Sequence, residues 1–368
     1  MKLLIDAHVF DEVHQGTRTY LKGLYGELIK RMPNDSFFFA ASQVENLRNE
    51  FGDHPNVFFV QLKLGKWIRL LLEFPYLIWK HKIDYAHFQY ISPPIKNCKH
   101  IVTTHDILFK DFKSLFPLKY RILSNLLFGF SAIRADMLLT VSEYSQKRIA
   151  FHYNIPVEKI GITPNGISKE FFEEKIGDNF RFNLKYDLQH FILYVSRIEP
   201  RKNHLILLKA FSDLKLWEKS YKLIFVGKKD FSYGDLDVFL ESCTEKCRRN
   251  ILFLQNINNS ELISFYKNAD LFIYPSIAEG FGIPPIEAIS TGTPTLCSNA
   301  TAMSDFAFLE EDHFDPNNLD ELKLKIINKL TQPINSTRID LLKRIVAEKY
   351  SWNKSAKKFI SLLKDELQ

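Results

Sequence analysis

Tyr274-Pro275-Ser276-Ile277-Ala278-Glu279-Gly280-Phe281-Gly282-Ile283-Pro284-Pro285-Ile286-Glu287-Ala288 is the stretch that decides the reading of this chain. The apolar run before it, Leu271–Tyr274, reads as a strand, and a helix is expected over about 284–291. Gly280 and Gly282 let the backbone come close to a ligand. The helix that follows presents free N–H groups and the positive end of its dipole, which suits a phosphate or a face of sugar hydroxyls. Glu279 and Glu287 are eight residues apart, about 800° of helix, which would lean both toward one site. A carboxylate accepts two hydrogen bonds from a vicinal diol, the way riboses and sugars are held. A plain strand–turn–helix connection is the bland alternative. The Gly-Phe-Gly turn at a strand end favours a site.

A second stretch has the same architecture. Leu193-Tyr194-Val195-Ser196-Arg197-Ile198-Glu199-Pro200-Arg201-Lys202-Asn203-His204 leaves a strand and enters a helix, gathering Arg197, Arg201 and Lys202 at the sheet's carboxyl edge. Two fixed cations there can grip a diphosphate and stabilise the charge that grows as it leaves, in place of a metal ion. In the first half, Thr103-Thr104-His105-Asp106 places His105 at a strand end, with Asp106 as a turn cap or a group that orients His105. The first strand–helix turn, Asp11–Tyr20, has a single Gly16 that could offer backbone N–H groups to a phosphate. The chain has no G-x-G-x-x-G and no Walker loop, which argues against dehydrogenases and nucleoside triphosphatases. Asp235-Leu236-Asp237 has the form of a metal-binding D-x-D but stands where a helix begins, where Asp caps and favours the dipole.

Outward from these motifs, the pattern is strand–helix alternation. Strands are expected at Leu3–Ile5, Phe37–Ala40, Val57–Leu62, Ile83–Phe88, Ile101–Thr104, Met137–Val141 and Ile160–Thr163. After a charged stretch over 166–187 they resume at Phe191–Val195, Leu223–Val226, Ile251–Leu254, Leu271–Tyr274 and Thr295–Cys297. Uniformly apolar strands suit parallel sheets covered on both faces. The fold class is therefore α/β, with two tandem Rossmann-like halves joined near residue 175 and a ligand cleft between them. The first domain would run over 1–172, the second over 173–351, and a last helix over 352–368 would return to the first.

Composition agrees. The 368 residues are 46% hydrophobic and 25% charged, with 32 Phe for an aromatic core. That excludes a disordered tail, a fibre and a membrane-embedded bundle. A net charge of +6 is no nucleic-acid signature and fits phosphate esters or an anionic lipid surface. Cys98, Cys243, Cys247 and Cys297 make no disulfide framework; Cys243 and Cys247 are expected one turn apart on a helix as reduced thiols. The start lacks a signal peptide's apolar run, and Trp67–Trp79 and Ile122–Ile133 are too short to span a bilayer, so the chain reads as cytoplasmic. Trp67–Trp79, interrupted by Pro75 and flanked by Lys63, Lys66, Lys80 and Lys82, is read as a core helix, with peripheral contact at the inner face of an anionic membrane left open.

Together these residues resemble the family 4 glycosyltransferases, retaining enzymes of the GT-B fold, over nearly the whole chain. The resemblance rests on Glu279–Glu287, Arg197–Lys202 with Asn203, Val226-Gly227, Thr163-Pro164-Asn165-Gly166, Val141-Ser142-Glu143-Tyr144-Ser145, His105-Asp106 and Ser351-Trp352. The first half is similar to bacterial mannosyl- and hexosyltransferases of polysaccharide and lipopolysaccharide assembly. The resemblance implies a hexose, mannose favoured, moving from a nucleotide-diphospho-sugar (GDP-sugar favoured over UDP-sugar) to a glycan or lipid-linked acceptor. No cofactor and no bound metal would be needed. Arg197 and Lys202 would grip the diphosphate and Glu287 the ribose. Glu279 with Gly280, Phe281, Gly282 and Ile283 would hold the sugar, His105 would reach it from the first domain, and Gly16 would touch the phosphate. A sugar-nucleotide epimerase of the same fold and a non-catalytic sugar-nucleotide-binding protein are the alternatives. Two departures stand out: the first turn is reduced to Gly16, and Ser298–Phe314 carries Asp305 and Glu310–Asp312 where Glu and Gly residues are usual.

Overall fold

The computed structural model describes residues 1–11, 16–173, 186, 188–229, 234–333 and 335–366. Gln15 and most of the expected joint over 166–187 lie outside them. The chain divides into two compact units, Met1–Gly166 with Tyr350–Gln368, and Ile167–Lys349. The divisions thus fall at Gly166 and Tyr350, against the 172 and 352 read from sequence.

The first unit is a seven-stranded sheet of β1 (Lys2–Asp6), β2 (Ser36–Ala41), β3 (Val57–Gln61), β4 (Tyr85–Gln89), β5 (Lys99–Thr103), β6 (Met137–Thr140) and β7 (Ile160–Ile162). Their order is β3-β2-β1-β4-β5-β6-β7, every pair parallel, with Leu3 opposite Phe37 on one side and Tyr85 on the other. The connections are α1 (Gly16–Arg31), α2 (Val44–Phe51), α3 (Lys66–Ile68), α4 (Phe74–His81), α5 (Leu108–Asp111), α6 (Leu118–Arg134) and α7 (Glu143–Tyr153). Alternate residues of each strand feed two apolar layers. On one face, Tyr25 of α1 packs edge-on against Phe37 (5.9 Å) and Phe39 (5.4 Å). The chain's last helix, Trp352–Asp365, joins this layer through Trp352 against Tyr20 (6.3 Å) and Phe359 against Tyr25 (6.4 Å). On the other face, Leu70, Phe74, Leu77 and Ile78 pack on Ala86 and Phe88, while Phe128 and Ala132 pack on Val102 and Leu138.

The Trp67–Trp79 run corrects the sequence reading. Pro75 does not interrupt it: a π turn over Arg69–Glu73 leads into α4, and Pro75 stands in the first turn, where its missing N–H matters least. Only one side is core. Trp67, Ile68, Leu71, Leu72, Tyr76 and Trp79 are exposed.

The second unit holds β8 (His190–Val195), β9 (Tyr221–Val226), β10 (Ile251–Leu254), β11 (Leu271–Tyr274), β12 (Thr295–Ser298) and β13 (His313–Phe314), ordered β10-β9-β8-β11-β12-β13 and parallel throughout. The two-residue β13, joined to β12 at Cys297 and His313, is too short for any sequence period to reveal. Cys243 and Cys247 do not share a helix: one ends at Ser242, and the next, Glu245–Arg249, is capped by Thr244, whose Oγ1 accepts from the Cys247 N–H (3.2 Å). All four cysteines are free thiols. Among the described residues no helix is long and apolar enough to cross a membrane.

Candidate functional site

In the second sheet the strand order reverses between β8 and β11. The loop after β8 turns toward one edge and the loop after β11 toward the other, so residues 196–203 and 275–282 lie side by side at the carboxyl ends, where such sheets take ligands. Here Lys202 and Glu279, both buried, are bonded to each other. The Lys202 ammonium also donates to the Tyr274 hydroxyl (3.2 Å). Glu279 Oε1 accepts from Ser276 Oγ (2.6 Å) and Tyr274 Oη (2.9 Å); Oε2 accepts from Arg201 (3.2 Å). Burial opposes the charge on Glu279, but Lys202 and Arg201 outweigh it and hold its carboxyl at about 2. Burial draws Lys202 below its ordinary value while Glu279 pulls the other way.

The loop backbone is fixed as tightly as the side chains. Ile277 N–H donates to the Arg201 carbonyl (2.8 Å), Glu279 N–H to Thr301 Oγ1 (2.9 Å), and the Tyr194 hydroxyl to the Lys202 carbonyl (2.6 Å). Gly227, at φ 152, passes so close to the loop that a Cβ would stand 1.9 Å from the Ser196 carbonyl oxygen, which explains the glycine after Val226 at this crossing.

The other expected residues of this unit separate into groups. Arg197 is exposed in the loop. Arg201 is turned inward, to Glu199 (2.7 Å), to Glu279 and to the Ala278 carbonyl (2.8 Å), so its charge is largely neutralised within the protein. Gly280 leads through Phe281, which packs edge-on to Phe306 at 5.8 Å, to Gly282 at φ 97, the cap of the helix Ile283–Thr291. Glu279 therefore precedes the helix by a full turn, and the helical arithmetic relating it to Glu287 does not hold; the loop brings Glu279 inward by its own bends. Glu287 accepts from the Tyr266 hydroxyl (2.8 Å). Burial raises its carboxyl to about 7, against the lowering pull of that hydrogen bond.

In the first unit, His105 stands two residues past β5. Its ring meets Tyr20 edge-on (5.0 Å) and Tyr90 (5.4 Å). Burial drives its pKa down to about 3, so the imidazole is neutral. Nε2 donates to Gln89 Oε1 (2.8 Å); Gln89 Nε2 donates to His87 Nε2 (3.2 Å), and His87 Nδ1 bonds the Tyr25 hydroxyl (2.7 Å). That assignment leaves Nδ1 of His105 as an acceptor. Asp106 caps the next turn, accepting from Leu108 N–H (3.2 Å). Gly16 opens α1, in space where a Cβ would meet nothing within 4 Å.

Asp235 and Asp237 fall in the first turn of the helix Gly234–Ser242, with Asp237 paired to Lys229 (2.5 Å). In the unusual acidic segment, Asp312 is buried and tied to Lys329 (2.5 Å) and Arg338 (2.8 Å), a packing role. Among the described residues no group of three or more His, Cys, Asp or Glu could hold a metal ion. Gln89 and Tyr266 were not singled out from sequence. A polar residue in the buried strand Tyr85–Gln89 was a usable signal; Tyr266 gave none.

Comparison with known proteins places the chain. Residues 15–171 match the family described as Glycosyltransferase Family 4, and residues 176–344 match Glycosyl transferases group 1. Among curated relatives, the O-antigen chain mannosyltransferase B of Escherichia coli is 32% identical over 53% of this chain and 52% of its own length. The O-antigen chain mannosyltransferase RfbU of Salmonella typhimurium is 31% identical over 54% and 51%. The chain thus spans about half the length of these relatives. Sucrose-phosphate synthase from Thermosynechococcus elongatus has a TM-score of 0.75 at 16% identity, covering 100% of this chain and 98% of its own. Anabaena HepE in complex with UDP has 0.74 at 16%, covering 99% of each; at that identity the likeness concerns the fold. With the two family matches in tandem, the chain belongs to the family 4 glycosyltransferases of the GT-B fold.

Proposed function

We propose that the protein is a retaining hexosyltransferase that moves a sugar, mannose favoured, from a nucleotide-diphospho-sugar to a hydroxyl of a glycan or lipid-linked oligosaccharide, with no metal ion required. The observation that carries this is the Lys202–Glu279–Arg201 cluster at the β8/β11 reversal, beside the N-terminus of the helix Ile283–Thr291. An ammonium has three donors. Two are engaged by Glu279 and Tyr274, and the third would take a phosphate oxygen of the leaving diphosphate, joined by Arg197. Glu279 Oε1 is crowded by three donors while Oε2 receives Arg201, so Oε2 is the atom for a sugar hydroxyl. Backbone N–H groups at Gly280–Ile283 would add hydrogen bonds, Glu287 would accept both ribose hydroxyls, and Gly16 would touch the phosphate.

As C1 of the sugar loses its bond to the diphosphate, negative charge grows on the leaving oxygen, and Lys202 and Arg197 stabilise it more strongly than they do the ground state. His105, neutral and with Nδ1 as acceptor, would receive a hydrogen bond from a sugar hydroxyl. Mannose is favoured by the names of the two O-antigen relatives, and a GDP-sugar donor follows from that preference. Thermal shift with GDP-, UDP- and dTDP-sugars tests the donor, since ligand binding raises apparent stability. Stabilisation by a GDP-sugar alone supports the reading; stabilisation by none overturns it. Transfer that disappears in chelator and returns with manganese would overturn metal independence.

A further inference from the structure

α6 is built inside out. The residues it buries are Ser124, Phe128, Gly129, Ser131 and Ala132, mostly small or polar. Its outer side shows Leu118, Ile122, Leu126, Phe130 and Ile133, with Leu126 and Ile133 each 64% exposed. A helix whose large apolar residues face outward is unfinished unless something apolar covers them. The same holds for the run Trp67–Trp79, where Leu72 is 62% and Trp79 71% exposed.

The two stretches share one face of the first sheet. The core side of α4 packs on Ala86 and Phe88 of β4, that of α6 on Val102 of β5 and Leu138 of β6, and Ile91 packs against both clusters. β4 and β5 are adjacent strands, so the exposed apolar rows lie side by side.

Charge selects the occupant. Residues 63–82 expose four cations (Lys63, Lys66, Lys80, Lys82), Arg69 being buried, against the single carboxylate Glu73, itself tied to the N–H groups of Lys63 and Leu64. Residues 113–134 hold four cations and no carboxylate. Together the two short stretches exceed the +6 of the entire chain. We propose that this two-helix face of the first unit docks on an anionic lipid bilayer, its Trp, Leu and Ile side chains entering the headgroup boundary and its Lys and Arg side chains reaching lipid phosphates. Aromatic and aliphatic residues at the centre with a basic rim are what an interfacial surface needs, and a second copy with the same positive face would be repelled. The inference goes beyond the sugar-transfer reading and is independent of it.

The test is sedimentation with vesicles of phosphatidylcholine alone and of phosphatidylcholine with phosphatidylglycerol, using the wild type, Trp79→Gln/Leu126→Gln and Lys66→Glu/Lys119→Glu. These residues are exposed, so unchanged thermal midpoints are expected. The wild type should bind the anionic vesicles at least about tenfold more tightly than the neutral ones, less tightly as salt rises, and each variant should lose about tenfold. Equal binding by wild type and variants, or no binding by the wild type, overturns the proposal. So does a wild-type dimer that Trp79→Gln/Leu126→Gln abolishes without vesicle binding, which would make the face a self-interface. Sugar-nucleotide binding without vesicles should be unchanged in both variants. A protein that binds vesicles but no sugar nucleotide would overturn the transfer reading and leave this one standing.

Discussion

Tyr266 donates its hydroxyl hydrogen to Oε2 of Glu287 at 2.8 Å, and burial raises that carboxyl to about 7. An ionised carboxylate accepts both hydrogens of a ribose diol; a protonated one does not. Donor affinity should therefore rise as pH climbs through about 7 and level off above it. In Glu287→Gln the profile should be flat, and in Tyr266→Phe its midpoint should move upward, because the lost hydrogen bond favoured the charged form. The sign for stability is opposite. A raised carboxyl contributes fully below its ordinary value near 4.5 and loses that contribution as pH rises through about 7. Titration calorimetry from pH 5.5 to 8.5 checks the binding curve, and a flat wild-type profile would contradict it.

Lys202 and Glu279 are mutually dependent buried charges. Removing one strands the other, at a cost of about 3 kcal/mol. Lys202→Met and Glu279→Gln should each lose roughly that amount, and the double variant clearly less than their sum. The stabilisation by Glu279 is present above its ordinary value near 4.5 and is lost as pH falls through about 2, so Glu279→Gln should be less sensitive to acid than the wild type. Urea denaturation of the four proteins checks the coupling; strict additivity would contradict it.

Gln89 fixes which nitrogen of His105 is free. Gln89→Leu leaves the buried Nε2–H without its acceptor, and turnover should fall roughly tenfold with donor affinity little changed. Gln89→Glu, which restores an acceptor, should recover most of it. Steady-state kinetics that lose KM rather than kcat would assign Gln89 to packing alone.

Gly227→Ala places a methyl group against the Ser196 carbonyl at an unfavourable φ and should cost more than about 2 kcal/mol. Gly26→Ala, in the body of α1 with nothing within 4 Å of a Cβ, should gain about 0.5–1 kcal/mol. Thermal midpoints of the two variants should move in opposite directions.

The strands were legible because parallel sheets demand uniformly apolar runs, and those of β8 through β12 stand within a residue or two of where the sequence puts them. The loops were legible at the level of residue type: Gly280, Gly282 and the basic run at 197–202 mark strand ends by composition. What the sequence did not disclose depends on the third dimension. Arg201 and Lys202 are neighbours in sequence, yet both turn to one carboxylate 77 or more residues away. Tyr266 reaches Glu287 from another helix. The outward apolar rows of α6 are invisible to a count of hydrophobic residues, since burial decides which of them face the core.

On the proposed reading, Lys202 and Glu279 act together on a nucleotide-diphospho-sugar. The most direct test is the release of nucleoside diphosphate from a sugar-nucleotide donor by the wild type, Lys202→Ala and Glu279→Ala, each verified as folded by circular dichroism. Steady release is expected from the wild type, with a loss of about a hundredfold or more in both variants. Near-normal release by the two folded variants would contradict that reading.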